Sequence, residues 1–524
     1  MALVGSFNGW NADADVLAQV ADGFWAVEKR LNPGTHYYQY LVDGVKICDP
    51  YAREVLWPQG GISNPDPPQA VLKIGGTPYQ WRSDGWQRPA FRDLIIYETH
   101  VADFTPEGTF AAMAAKLDYI KDLGVNAIEM MPVTEDTFDK EWGYQPTYFF
   151  AVNHDYGTAD DLKRLIDEAH TRRLAVILDI VLAHTSPAHS FNKLYKFEES
   201  PWYGRGIGGT NEFGLPTFDH HKEPVRAFCR DVQAYWFKEF QADGIRYDYA
   251  INIGIDGQYG MPYLGKEART VRSDAYLIGE YVPEDPKAVG LTEFNANWHG
   301  RFSYAMKAFL LQKEMNKYDW NQFDEAVRVF DPAREGYSAA SHMVNYVESH
   351  DEFRLLYELR TAGIERTDAR YRASLAGTLL MTAPGVPMLY HGQEFGEIAH
   401  LSRNERVPLR WELLSTLGGK GLFSHYLKVI ALRNQHPGLR AEGYALVAVH
   451  KDEKWVVFRR WNEEGDEILV AANVSEHPHN VTIPFPRKGA WHDVIRDVRV
   501  EVANDGDSVV QELKGYEGAV FVKA

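Results

Sequence analysis

Acidic, basic and imidazole side chains stand at the ends of several apolar runs in this chain. Residues 174–184 (LAVILDIVLAH) carry Asp179 and end on His184. Residues 244–250 (GIRYDYA) carry Arg246 and Asp248, and residues 275–282 (AYLIGEYV) carry Glu280. Residues 343–351 (MVNYVESHD) end on His350 and Asp351. Such runs read as buried strands, which in a parallel sheet are ordinarily apolar on both faces. In 244–250, strand alternation puts Ile245, Tyr247 and Tyr249 on one face and Arg246 with Asp248 on the other. Taken singly, Asp179 can tie down a loop, His184 can be a satisfied buried histidine, Glu280 an ion-pair partner and Asp351 a helix cap. Taken jointly, at the ends of successive strands, they point to one site.

Carboxylates with an Arg, and no evident nucleophilic Ser or Cys, suit cleavage of a glycosidic bond. That reaction needs one ionised carboxylate and one protonated acid flanking the anomeric carbon. Arg246, two residues before Asp248, is expected to lower the pKa of that carboxyl and keep it anionic. Glu280 lies in an apolar strand close to other carboxylates, so desolvation and like charge raise its pKa, the condition for a general acid. Asp179 precedes its strand end, so support of the site stands beside substrate contact as its reading. A one-metal hydrolase is the rival, but no H-x-x-x-H or comparable ligand spacing occurs.

These residues need a frame that gathers strand ends. From about residue 90, strands alternate with helical segments for roughly 350 residues, the pattern of a parallel sheet. Seven strands are clear, and an eighth is expected near 298–306 (WHGRFSYAM). That count fits an α/β fold of the (β/α)₈ TIM-barrel type, in which catalytic groups sit at the C-terminal strand ends. The domain reading is an N-terminal β-sandwich over 1–76, a barrel over 90–440, a B subdomain inserted at 185–223 and a C-terminal β-sandwich over 441–524. The Gly-rich stretch 204–209 satisfies G-x-G-x-x-G but lacks the strand before and helix after that a dinucleotide site requires.

The totals narrow the partners. Over 524 residues the net charge is −18, which argues against nucleic acid and against anionic membranes, and suits a neutral substrate. Two distant cysteines, Cys48 and Cys229, make neither a disulfide framework nor a zinc pattern, and Cys229 is expected as a packed thiol. No secretory leader and no membrane-spanning apolar run is visible, so a cytoplasmic location is expected.

Set in order, these motifs resemble the α-amylase family, glycoside hydrolase family 13. DIVLAH (179–184) is similar to the family's first conserved region, GIRYDYA to the second, LIGEYV to the third and NYVESHDE (345–352) to the fourth. The resemblance implies Asp248 as nucleophile, Glu280 as acid/base and Asp351 as the carboxylate that binds ring hydroxyls in the distorted transition state. It implies Arg246 as orienting cation, His350 as assistant, and Asp179 and His184 at their matching positions. EWGYQPTYFF (141–150) is similar to the segment whose Tyr, here Tyr144, stacks under the sugar. VPMLYHGQEFG (386–396) is typical of the eighth strand. VGSFNGWN (4–11), HYYQYLVDG (36–44) and DPYA (49–52) resemble the β-sandwich ahead of branching, debranching and trehalose-releasing members; for Trp10 and Trp25, core packing is the expectation.

Two departures matter. Ala183 stands where many members place the Asn that ligates calcium, so no cofactor is required and a structural calcium is left open. Tyr249 to Asn252 stand where typical α-amylases have the Lys-His of the leaving side. The resemblance implies an α-glucan partner and retaining cleavage of α-1,4 bonds through a covalent glycosyl-enzyme. Branching by transfer, trehalose-releasing hydrolysis and a non-catalytic glucan-binding role are the alternatives.

Overall fold

A computed structural model of the chain describes residues 1–136, 142–204, 209–399 and 405–524. Eight strands close into a barrel: β1 (Ile96–Thr99), β2 (Ala127–Met130), β3 (Ala175–Ile180), β4 (Gly244–Tyr247), β5 (Tyr276–Gly279), β6 (Ala296–His299), β7 (Met343–Asn345) and β8 (Val386–Tyr390). All are parallel; neighbours in sequence are neighbours in the sheet, and β8 pairs with β1 to close it.

Each strand is shorter than the apolar run that predicts it. Strand β3 ends at Ile180 although the run continues to His184, and β7 ends at Asn345 although the run continues to Asp351. Apolar patterning reports burial, not ladder bonds, and the continuations remain buried in the barrel mouth, as Leu182, His184, Val347 and His350 do. The strand expected near 298–306 is corrected to Ala296–His299, because from Gly300 to Leu311 the chain is helical. The seven-residue strand 244–250 is corrected as well. Tyr249 has a left-handed backbone (φ 47°) that breaks the pleat, so it does not share a strand face with Ile245 and Tyr247.

The barrel interior is a stack of side chains. Ile96, Ala127, Ala175, Ile177, Tyr276, Ile278 and Trp298 belong to one apolar cluster; Ile96, Ala127, Ala175 and Tyr276 open their strands, while Ile278 is level with Arg246. Asp179 and Arg246 are register partners on β3 and β4 and lie further along the strands. The interior is therefore apolar at one end and charged at the other. Outside, helices bury one face against the strands. The helix Glu223–Glu239 has Pro in its first turn, where the missing N–H costs nothing, and buries Phe228, Cys229 and Trp236.

Two antiparallel regions flank the barrel. Near the N-terminus, Ala2–Gly5, Gly34–Val42, Gln69–Ile74 and Val55–Leu56 form a sheet with Val45–Ile47 off its path. It meets the barrel through Trp57, whose Nε1 donates to Glu135 Oε1 at 2.7 Å, and through Tyr51 stacked on Phe150 at 4.7 Å. Core packing of the two tryptophans is corrected: Trp10 is 38% and Trp25 is 48% exposed. Beyond the barrel, six strands between Gly443 and Lys523 form a sheet covered by the pair His479–Pro484 and Ser508–Leu513, around Trp491, Phe485 and Phe521.

The described residues of the connection 185–223 hold single turns such as Ser190–Lys193 and Phe197–Glu199, and isolated bridges such as Tyr203 with Phe218. Aromatic stacking orders it, with Phe191 on Trp202 at 3.9 Å and Tyr203 on Phe218 at 5.6 Å. Most of the G-x-G-x-x-G stretch (205–208) lies outside the described residues. No described helix is long and apolar enough to cross a membrane.

Gly244 opens the strand that carries the charged pair, and it lies beside Tyr276 of β5. A Cβ there would stand 2.6 Å from Tyr276 Cβ and 2.6 Å from its carbonyl oxygen. Gly244→Ala is expected to cost roughly 1–3 kcal/mol through overpacking. A thermal melt reads this as a lower Tm, and an unchanged Tm would refute the close approach.

Candidate active site

The eight residues singled out in the sequence meet at the C-terminal mouth of the barrel. Six of them, Tyr144, His184, Asp248, Glu280, His350 and Asp351, line a cleft of about 370 Å³. Arg246 and Asp179 lie beneath it, buried.

Arg246 is the hub. Its side chain is 0% exposed. Its Nη1 donates to both oxygens of Asp179 at 2.9 Å and to Asp248 Oδ1 at 3.0 Å. Its Nη2 lies 3.1 Å from Glu280 Oε2. The guanidinium rests on the Trp298 ring, Cζ 4.3 Å from the centroid, which supports its flat face while leaving its edge for carboxylates. Three strands, β3, β4 and β5, thus send one carboxylate each to a single cation.

Asp248 follows the last residue of β4, and its N–H donates to the Ile180 carbonyl at 3.2 Å. Glu280 follows the last residue of β5, and its N–H donates to the Tyr247 carbonyl at 3.0 Å. The left-handed turn at Tyr249 aims that residue's N–H at Glu280 Oε2, 2.7 Å away. The Tyr249 hydroxyl donates to Glu212, which ties the 185–223 connection to the strand end.

Tyr144 donates to Asp179 Oδ2 at 2.5 Å and stacks on His350, with ring centroids 4.8 Å apart and planes 16° apart. His184 Nε2 donates to the Tyr144 carbonyl at 2.9 Å, and Asn211 Nδ2 lies 3.3 Å from its Nδ1. Burial pulls the His184 ring down to about 4, so it is neutral. His350 Nδ1 lies 2.6 Å from Glu98 Oε1, and its Nε2 lies 3.3 Å from Asp351 Oδ2.

Burial raises the carboxyls of Asp179, Asp248 and Glu280 above their ordinary range. Arg246 opposes burial at all three, while Glu280, Asp179 and Asp351 add like charge at Asp248. The expectation that Arg246 holds Asp248 below its usual range is therefore corrected. One guanidinium divided among three buried carboxylates cannot offset the desolvation of each, so the group is poised to share a proton.

Two further carboxyls were not singled out from sequence. Glu98 of β1 and Glu129 of β2 are register partners inside the barrel below the cleft, and each is 1% exposed. Their signal was present: an acidic residue at an inward position of a parallel strand, in IYETH and AIEMM. Trp298, which supports Arg246, was hidden in the stretch whose strand was poorly defined. Among the described residues, no group of three or more His, Cys, Asp or Glu is arranged to hold a metal ion.

Arg246→Met would keep the volume over Trp298 and remove the cation. Stranding buried carboxylates in this way is expected to cost about 3–5 kcal/mol at neutral pH. The cost should shrink as pH falls and the carboxyls take up protons. Melts at pH 8 and pH 5 test this, and a loss of equal size at both would refute the charge-sharing arrangement.

Comparison with known proteins agrees with this geometry. The family model of the alpha amylase catalytic domain matches residues 81–206 and 195–408, and that of the alpha amylase C-terminal all-beta domain matches residues 446–522. A malto-oligosyltrehalose trehalohydrolase of Saccharolobus solfataricus is 29% identical over 405 residues, covering 69% of this chain and 68% of its own. A 1,4-alpha-glucan branching enzyme of Corynebacterium jeikeium is 28% identical over 558 aligned residues, covering 96% of this chain and 75% of its own. The fold is also that of a type I pullulanase from Bacillus subtilis in complex with maltose, at a TM-score of 0.80 and 20% identity, covering 100% of this chain and 82% of that one. A parallel barrel with these strand-end residues, matched by the catalytic and C-terminal models in order, places the chain in the α-amylase family of glycoside hydrolases and transglycosylases.

Proposed function

We propose that this protein is a retaining hydrolase of α-linked glucans, cleaving α-1,4-glucosidic bonds of starch-like polymers and malto-oligosaccharides. The observation that carries the reading is that two carboxyls lining one cleft share one cation, Arg246 lying 3.0 Å from Asp248 Oδ1 and 3.1 Å from Glu280 Oε2. Asp248 accepts a charge-assisted hydrogen bond from Arg246 at 3.0 Å. Glu280 accepts a hydrogen bond from the neutral Tyr249 N–H. Burial raises both carboxyls, Asp248 the further, and Arg246 opposes burial at each, so the pair is poised to share one proton; the reaction uses it on Glu280, with Asp248 ionised.

The chemistry uses the pair in those two roles. Asp248 attacks the anomeric carbon, while Glu280 gives its proton to the departing oxygen and the C–O bond breaks. Water then attacks the glycosyl ester, Glu280 takes its proton, and Asp248 leaves as carboxylate. Tyr144 offers a ring face to the sugar, and Asp351 with His350 reaches the ring hydroxyls. Asp179 keeps Arg246 and Tyr144 in place. The acidic, neutral-substrate character of the chain and the compact cleft support an uncharged glucan as ligand.

Transfer to a 6-hydroxyl, creating a branch, is the second reading. It is favoured by the extent of similarity to a branching enzyme, which runs over nearly the whole chain. The two readings share every step up to the glycosyl-enzyme and differ in the acceptor.

Incubation with amylose separates them, with new reducing ends and new α-1,6 branches measured independently. Hydrolysis predicts reducing ends without branches; branches without net reducing ends would refute it. Glu280→Gln is expected to lower the rate roughly 10²- to 10⁴-fold, and Asp248→Asn at least as far. Because Glu280 acts protonated, activity falls as pH rises through its raised pKa. Because Asp248 acts ionised, activity also falls on the acid side.

A further inference from the structure

We infer that Glu98 is a positioning residue of the reaction proposed above: from inside the barrel it fixes the ring of His350, so that Nε2 is presented to Asp351 and the cleft. This rests on the retaining reading of the site.

Glu98 is on β1 and is buried, with Oε1 at 2.6 Å from His350 Nδ1. Burial pushes the Glu98 carboxyl up while His350 and Arg246 pull it back; paired with His350 as carboxylate it only accepts, so Nδ1 carries the hydrogen in this contact. The other ring nitrogen faces a second carboxylate, Asp351, at 3.3 Å. The ring cannot swing away from either. Tyr144 stacks on its face, Trp142 meets it edge-on at 5.4 Å and Trp298 packs at 5.7 Å. Glu98–His350–Asp351 is therefore a relay of alternating charge from the barrel interior to the cleft. A histidine turned so that both nitrogens point at carboxylates donates from both.

The groups around the ring come from every wall of the site: Glu98 of β1, Glu129 of β2, Asp179 of β3, Arg246 of β4, Glu280 after β5, Asp351 and the Tyr144 hydroxyl. Burial pulls the imidazole down, but Asp351 and Glu98 outweigh it and push it up to about 9, against repulsion from Arg246. Glu129 supplies the contrast. It is Glu98's register neighbour and equally buried, yet neither of its carboxyl oxygens has a hydrogen-bond partner among the described residues. Burial and the charge of Glu98 hold it in the protonated form. An isosteric amide is thus a faithful replacement for Glu129 and a disruptive one for Glu98.

The test uses the full chain with ¹³Cε1-labelled histidine, the His350 resonance being assigned by its loss in His350→Asn. In the wild type it should titrate near 9. Glu98→Gln should lower that by about one unit or more, a tenfold loss of proton affinity. Glu98→Asp should recover part of it, and Glu129→Gln should leave it in place. In parallel, kcat/KM on maltoheptaose at pH 8, relative to pH 6, should fall about twofold in Glu98→Gln for a one-unit shift, and about tenfold for a two-unit shift, and not in Glu129→Gln. A wild-type His350 that titrates at or below neutrality, or one unmoved by Glu98→Gln, overturns the proposal. If Glu98→Gln does not fold, the wild-type and Glu98→Asp titrations decide it. If no form turns over glucan, the functional reading fails while the titration still decides the role of Glu98.

Discussion

A buried guanidinium with more carboxylates around it than it can neutralise is the constraint on which this site depends. Arg246 has no solvent exposure, and its donors reach Asp179, Asp248 and Glu280 from three adjacent strands. Desolvating so much charge is expensive, and it persists only where geometry recovers most of the cost. Here the recovery comes from in-register strands, from the Trp298 face beneath the cation, and from a second cation-forming group, His350, on the far wall. The residual imbalance favours retention of a proton, and a retained proton is what an acid/base mechanism uses.

The barrel supplies that geometry by grading its interior. Inward positions at the strand starts hold Ile96, Ala127 and Ala175. One layer further are Glu98 and Glu129, and further still Asp179 and Arg246. Parallel strands direct all of these to the same mouth, so no long loop has to place the charged core. The long connection after β3 acts differently: Glu212 reaches the Tyr249 hydroxyl and Asn211 reaches His184, so it closes one side of the cleft.

The chemistry was legible in the sequence because acidic and basic residues in apolar strands are costly and hence rare. Asp179, Arg246, Asp248, Glu280, His350 and Asp351 stood out for that reason, and alternation with helices led to the barrel. What was not legible depended on backbone turns and on three-dimensional charge counting. The left-handed Tyr249 looked like one more strand residue, although its turn is what brings its N–H to Glu280. The number of carboxylates that share Arg246 is set by register between strands far apart in sequence, so the raised Asp248 carboxyl was read in the opposite direction. Trp10 and Trp25 read as core because large aromatics usually are, but Trp10 lies on a turn and Trp25 on a two-stranded pair, Ala18–Ala21 with Phe24–Ala26, too small to bury it. Glu98 and Glu129 were visible as residues but had no evident partner until the barrel closed.

The central claim is that Asp248 is the ionised partner of a shared proton and forms the covalent bond to sugar. Exposing the enzyme to an activated α-maltosyl fluoride, slowed by ring fluorination, should accumulate the glycosyl-enzyme. Intact mass should rise by one maltosyl unit, and peptide mapping should place it on Asp248. An adduct on Glu280 or Asp351, or turnover of the fluoride with inversion and no adduct, would contradict the account.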